Sequence, residues 1–114
     1  MTDKDKIALI SFTKDHVEKT YRWVQDPELR RLFLMRGNPT RETHRAYFDQ
    51  VFKDPSQVIY AITLNGAHVG NCGIKNIKKA NGEGEIWIYV GERSLRGRGT
   101  GEAASNLLIQ KGFQ

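Results

Sequence analysis

The sequence predicts an α/β (α+β) fold, a mixed but mostly antiparallel sheet flanked by helices, in the order β-α-α-β-β-β-α. Three observations predict it. Helical periodicity fills residues 14–25 and 41–53. Apolar, β-branched runs fill 58–64, 67–77 and 85–91. A basic, glycine-rich loop at 96–101 then leads into a last helix.

Residues 7–12 (IALISF) are apolar and β-branched, which predicts a short first strand. Thr13 is a capping residue, and Val17, Tyr21 and Val24 recur at spacings of four and three, one face of a helix over 14–25. Pro27 opens a second short turn over 28–34, and 35–39 (MRGNP) reads as a loop. Thr40 caps the next helix, with Ala46, Tyr47, Val51 and Phe52 turned inward, and Asp54-Pro55 ends it. Asn65-Gly66 joins the next two strands as a two-residue hairpin, because both residues tolerate positive φ. Residues 78–84 form a polar turn, and 85–91 (EIWIYVG) is the most apolar strand. Ala103, Leu107 and Leu108 place one face on the final helix, 100–111.

The length of 114 residues suits one domain. No apolar run nears the ~18 residues that a membrane helix needs, and the first residues, MTDKDK, carry no apolar leader. A cytoplasmic protein that spans no membrane is expected. Cys72 is the sole cysteine, which excludes an internal disulfide and a multi-cysteine metal site. His16, His44 and His68 have no metal-ligand spacing, so no metal is expected. The net charge of +5 favours anionic partners. No RNA- or DNA-binding motif accompanies it, so nucleic acid is not an expected partner.

The chemistry is concentrated in Arg96-Gly97-Arg98-Gly99-Thr100-Gly101. Glycines let backbone N–H groups approach a ligand closely. A helix start adds unsatisfied donors and partial positive charge, and two arginines add full charges. A phosphate or pyrophosphate is the natural guest. The P-loop pattern is excluded, since no lysine follows a glycine in the required way. The dinucleotide pattern is met weakly by Gly99, Gly101 and Ala104, with several residues between strand end and glycines. A third pattern, Arg/Gln-x-x-Gly-x-Gly/Ala, is met by Arg96, Gly99 and Gly101.

This last pattern resembles the coenzyme A pyrophosphate loop of the GNAT superfamily of N-acetyltransferases. The element order and the strand 85–91 resemble that family too. The likeness is greatest to the branch holding ribosomal-protein N-terminal, polyamine and amino-sugar acetyltransferases. The resemblance implies acetyl-CoA as cosubstrate and acetyl transfer to a primary amine. It implies a pantetheine arm lying along the backbone of Tyr89, Val90 and Gly91, with Gly91 marking a bulge, and an N–H near Tyr89 polarising the thioester carbonyl. The pyrophosphate would lie against the loop from Arg96 to Gly101, on N–H groups from Arg98 onward. Glu85 is the candidate acceptor of the amine proton; Glu83 and Glu92 are weaker candidates.

The same resemblance makes residues 1–114 the N-terminal, acetyl-CoA-binding part of a single GNAT domain, ending after its third helix. The tyrosine that often protonates the departing thiolate comes from a later helix in the family, so no general acid is assigned. On this reading the strand 85–91 has an open edge bearing only Glu85 as a charge, and self-association through it is expected. The acceptor pocket falls to residues 28–45, whose Arg30, Arg31, Arg36, Arg41 and Arg45 suit an anionic acceptor. An amino-sugar nucleotide ranks first and a protein N-terminal amine second. His44 reads as a packed helix residue. A non-catalytic coenzyme A or nucleotide-binding module is the reading from another class.

Overall fold

The computed structural model of the protein describes residues 5–32, 40–78, 80–95 and 99–112. Its elements are β1 (Ile7–Ser11), α1 (Lys14–Val24), α2 (Pro27–Leu32), α3 (Arg41–Val51), β2 (Val58–Leu64), β3 (Ala67–Lys78), β4 (Glu83–Val90), a 3-10 turn (Arg93–Leu95) and α4 (Thr100–Gly112). The turn after Pro27 is a helix in its own right, so three helices precede β2. The expected loop at 35–39 lies outside the described residues. The chain divides into two compact units, Met1–Phe12 with Pro55–Gln114, and Thr13–Asp54.

The first unit is a four-stranded sheet in the order β1-β2-β3-β4, and every pairing among the described residues is antiparallel. Asn65 and Gly66 turn the β2–β3 hairpin at φ 53° and 87°, the double positive φ that a tight hairpin demands. Strand β4 starts two residues before expectation, at Glu83. Glu83 sits in register with Lys78, and the opposite charges favour extending the ladder into the polar turn.

Helix α4 covers one sheet face. Ile62, Val69 and Cys72 of the sheet are buried with Ala104 and Leu108 of the helix, ringed by Leu9, Tyr60, Ile74, Ile88 and Leu95 among others. The inward face differs from the expected one: Ala104 and Leu108 are fully buried, while Ala103 and Leu107 are half-buried. Residues four apart stack on one face, and Ala104 is small enough to let the helix sit close to the strands.

In the second unit each helix start is capped by its own sequence. The Thr13 N–H donates to His16 Nδ1 at 2.9 Å. Asp26 accepts from the Glu28 N–H at 3.0 Å, with Pro27 at the first helical position, where its missing N–H is harmless. Thr40 and Thr43 cap reciprocally: the Thr43 N–H donates to Thr40 Oγ1 at 3.1 Å and the Thr40 N–H to Thr43 Oγ1 at 2.9 Å.

Helix α1 buries Val17, Thr20, Trp23 and Val24. Helix α3 buries His44, Phe48 and Val51, spaced four and three. Of the four residues expected inward only Val51 is; Ala46, Tyr47 and Phe52 are exposed, Tyr47 by 59%. The reason is His44. Its ring stands edge-on to Tyr21 at 5.4 Å and to Phe48 at 4.8 Å, so an imidazole occupies the apolar stripe. With Phe48 and Val51 it makes the inward stripe, and Tyr47 and Phe52 fall outside it.

Candidate coenzyme-binding site

The start of α4 is built to present donors. Gly99 holds φ 86°, a left-handed conformation that favours glycine. Its carbonyl accepts the Ala103 N–H at 3.0 Å. The N–H groups of Thr100, Gly101 and Glu102 therefore precede the first intrahelical donor and have no intrahelical acceptor. The Thr100 side chain is buried, 1% exposed, and its Oγ1 has no hydrogen-bond partner among the described residues. An added Cβ at Gly99 or Gly101 would meet nothing within 4 Å among the described residues. Donors, an unsatisfied buried hydroxyl and open space thus converge at one helix end, which fits a polar anionic group. Arg96, Gly97 and Arg98 of the predicted loop lie outside the described residues.

Strand β4 is an edge of the described sheet, and its backbone orientation follows from one hydrogen bond. The Gly91 N–H donates to the Val69 carbonyl at 2.8 Å. Hydrogen-bonded pairs alternate along an antiparallel ladder, so Asn71 and Tyr89, two residues on, form another. The backbone N–H and C=O of Tyr89 accordingly face β3. The same orientation is visible at Gly70, where an added Cβ would lie 2.4 Å from the Tyr89 carbonyl oxygen. The polar backbone groups of Ile88 and Val90 alternate to the outer edge. The ladder from Lys75↔Glu85 to Gly70↔Val90 is regular. Past it the N–H groups of Gly91 and Glu92 both reach the Val69 carbonyl, at 2.8 and 3.3 Å, two residues against one at the position where a bulge is expected; a separate register shift lies between Lys75 and Lys78, where Asn76 takes φ 53°.

Glu85 lies at the other end of β4. Its carboxylate is 3.9 Å from Lys75 Nζ, both side chains more than half exposed. Glu85, Trp87 and Tyr89 alternate onto one face, Trp87 stacking on Tyr89 at 5.9 Å. Four residues of strand separate Glu85 from Tyr89 by roughly 13 Å. A cleft of about 700 Å³ opens beside Glu85, lined also by Ser56, Asn76, Lys78 and Glu83. Glu92 follows β4, its N–H on the Val69 carbonyl at 3.3 Å.

His44 is the packed residue expected: it is buried, Nδ1 has no partner among the described residues, and burial lowers its pKa below 6.5. Arg41 is ion-paired to Glu18 and lies over the Tyr21 ring at 4.9 Å. Arg45 borders a smaller cleft with Lys14, Glu18 and Asp49. The side chains of Arg30 and Arg31, and Arg36 altogether, lie outside the described residues. Among the described residues no group of three or more His, Cys, Asp or Glu is placed to hold a metal ion. No helix there is long and apolar enough to cross a membrane.

Asn71 and His68 escaped the sequence reading. The signal was available: Asn71 is a polar residue flanked by Gly70 and Cys72 inside an apolar strand. In the structure it is 1% exposed. Its Oδ1 lies 2.7 Å from His68 Nε2, and its Nδ2 donates to the Tyr89 hydroxyl at 2.7 Å.

An edge strand thus leads into a glycine-led, donor-rich helix start on a four-stranded antiparallel sheet, and comparison with known proteins gives the family. Residues 6–114 match the family described as acetyltransferase (GNAT) domain, and the chain belongs to that family. A curated relative, an N-acetyltransferase 9-like protein of Caenorhabditis briggsae, is 23% identical over 121 residues, covering 96% of this chain and 61% of the relative. The chain thus spans under two thirds of that relative's length. Among solved structures, spermidine N-acetyltransferase from Vibrio cholerae, crystallised with CoA and spermine, superposes with a TM-score of 0.86 at 9% identity, over 94% of this chain and 63% of that one. An aminoglycoside acetyltransferase crystallised with coenzyme A gives 0.80 at 18% identity, over 95% and 68%. At these identities the structures establish the fold.

Proposed function

We propose that the protein is the coenzyme-binding part of an acetyl-CoA-dependent N-acetyltransferase that acts on a small primary amine. The observation that carries this reading is the start of α4, where Gly99 and Gly101 have no described residue within 4 Å of an added Cβ and the buried Thr100 hydroxyl between them has no partner among the described residues. In this proposal the N–H groups of Thr100, Gly101 and Glu102 receive the pyrophosphate, with Arg96, Gly97 and Arg98 completing the loop. The edge of β4 at Tyr89, Val90 and Gly91 receives the pantetheine arm as an added strand.

Acetyl-CoA supplies an activated acyl group: a C–N bond forms to the neutral amine as the C–S bond breaks, and the sulfur leaves as thiolate. The residues of this chain supply position and proton transfer. An outward backbone N–H on β4 next to Tyr89 polarises the carbonyl as charge develops on its oxygen. Glu85 receives the amine proton. The separation of roughly 13 Å along the strand means that the proton travels through water in the cleft rather than directly.

An amino-sugar nucleotide is the acceptor favoured by the arginines of residues 28–45. A polyamine-like acceptor is the second reading, favoured by Glu83 and Glu85 lining one cleft. Calorimetry with coenzyme A tests the site, and an acceptor panel of UDP-amino sugar, spermidine and a peptide amine tests the chemistry. Absence of coenzyme A binding overturns the reading. Binding without transfer to any amine leaves a non-catalytic coenzyme A module.

A further inference from the structure

The polar chain His68–Asn71–Tyr89 is unusual in its setting. Asn71 sits mid-sheet on β3, 1% exposed, on the face away from α4. A buried amide persists only when its groups are bonded. Here the bonding has a direction. Asn71 Oδ1 can only accept, so His68 Nε2 carries the hydrogen across their 2.7 Å contact. Nδ2 then points at Tyr89 and donates to its hydroxyl oxygen at 2.7 Å. His68 in turn lies edge-on to Phe12, 6.5 Å between centroids. The amide is therefore set from one side and grips from the other.

Tyr89 is the residue whose neighbours Ile88 and Val90 present their backbone groups to the outer edge. Two further features fix it. Gly70 lets the β3 backbone approach so closely that a Cβ would lie 2.4 Å from the Tyr89 carbonyl oxygen. Trp87 stacks on its ring at 5.9 Å. Side chain and backbone of Tyr89 are thus both anchored to β3, at the point where the edge would meet a thioester.

We propose that Asn71 is a positioning residue for acyl transfer: held by His68, it fixes Tyr89 and so sets where the edge of β4 meets the thioester carbonyl. The inference rests on the reading of β4 as the coenzyme strand. It separates two parts of the ligand. The pyrophosphate at α4 and the pantetheine arm on β4 are common to both ligands, whereas the thioester carbonyl, which coenzyme A lacks, depends on where the β4 edge stands.

The test measures the affinities of the folded protein for acetyl-CoA and for coenzyme A by calorimetry and follows their ratio. Asn71→Leu and Tyr89→Phe should each lower acetyl-CoA affinity about tenfold more than they lower coenzyme A affinity, since small misplacements at a reacting centre are costly. The double variant should be no worse than the poorer single, because both changes break one unit. His68→Gln, which keeps an N–H for Asn71 Oδ1, should preserve the ratio, and His68→Leu should lose it. If Asn71→Leu unfolds, as circular dichroism would show, Tyr89→Phe and the His68 pair carry the test. A parent protein that binds coenzyme A, with variants of unchanged ratio or additive losses, overturns the role of Asn71. A parent that binds neither ligand overturns the coenzyme reading itself.

Discussion

Lys75 and Glu85 face each other across the β3–β4 ladder with 3.9 Å between ammonium and carboxylate, both side chains in solvent. Exposed pairs of this kind contribute between nothing and about 1 kcal/mol. Lys75→Ala should therefore leave chemical denaturation almost unmoved. Glu85→Gln should behave differently in a chain competent for turnover. Acetyl transfer should fall by about tenfold or more, most strongly below neutral pH where the amine arrives protonated, with acetyl-CoA affinity unchanged. Steady-state rates matching the parent at every pH would leave Glu85 a surface carboxylate.

The α4 start makes a sharper case. An added Cβ at Gly99 meets no described residue within 4 Å, while the left-handed φ of 86° opposes Gly99→Asp. That strain costs about 1–2 kcal/mol. Coenzyme A binding should weaken by about tenfold or more, because a carboxylate then stands where an anion must approach. Calorimetry on the folded variant with unchanged affinity would remove the anion site.

Two histidines tie stability to pH. Burial lowers the pKa of His44, and burial lowers that of His16 with Asp15 pulling the other way. The unfolded chain therefore protonates first as pH drops below 6.5. Stability is complete above that value and is lost as pH falls through the lower folded-state pKa values. For His16, protonation also removes the Nδ1 acceptor that caps the Thr13 N–H. Melting temperatures should decline by a few degrees on this descent, and His44→Phe should flatten part of the decline while filling the contacts with Tyr21 and Phe48. A melting temperature indifferent to pH across this window would contradict both assignments.

Cys72 is fully buried between strands and helix, and burial pushes its thiol up to about 12. The thiolate is the reactive species, so Ellman's reagent should label Cys72 only at the rate of unfolding. Prompt labelling of the native protein would mean that the α4–sheet core opens readily.

Much of this was readable from residues alone, for identifiable reasons. Strands β1 to β3 carry alternating or continuous apolar runs, and Asn65-Gly66 admits one turn type, so their positions were accessible. The face of α3 was not, although His44 read as packed: apolar residues lie on several sides of 41–53, and the ring contacts of His44 with Tyr21 and Phe48, which pick the 44–48–51 stripe, are tertiary. The face of α4 turned on Ala104 rather than Ala103, a distinction made by close packing against Cys72 and Ile62 rather than by periodicity. The donors at Gly99 to Gly101 were visible as a motif. The Asn71–Tyr89 contact was not, since it joins residues of two strands through side chains, and strand register appears only when the hairpin closes.

The first compact unit is discontinuous: Ser11 is partnered by Tyr60, and residues 13–54 between them form the other unit. During synthesis β1 leaves the ribosome before β2 and cannot pair until Val58–Leu64 has followed. The helices of residues 13–54, whose contacts are local, close in the meantime. Sheet assembly must then absorb the entropy of joining distant segments, which makes β1 docking a slow, late event. Until it happens Ile7 and Leu9 have no β2 to cover them, and the nascent chain presents an apolar strand to whatever binds it first.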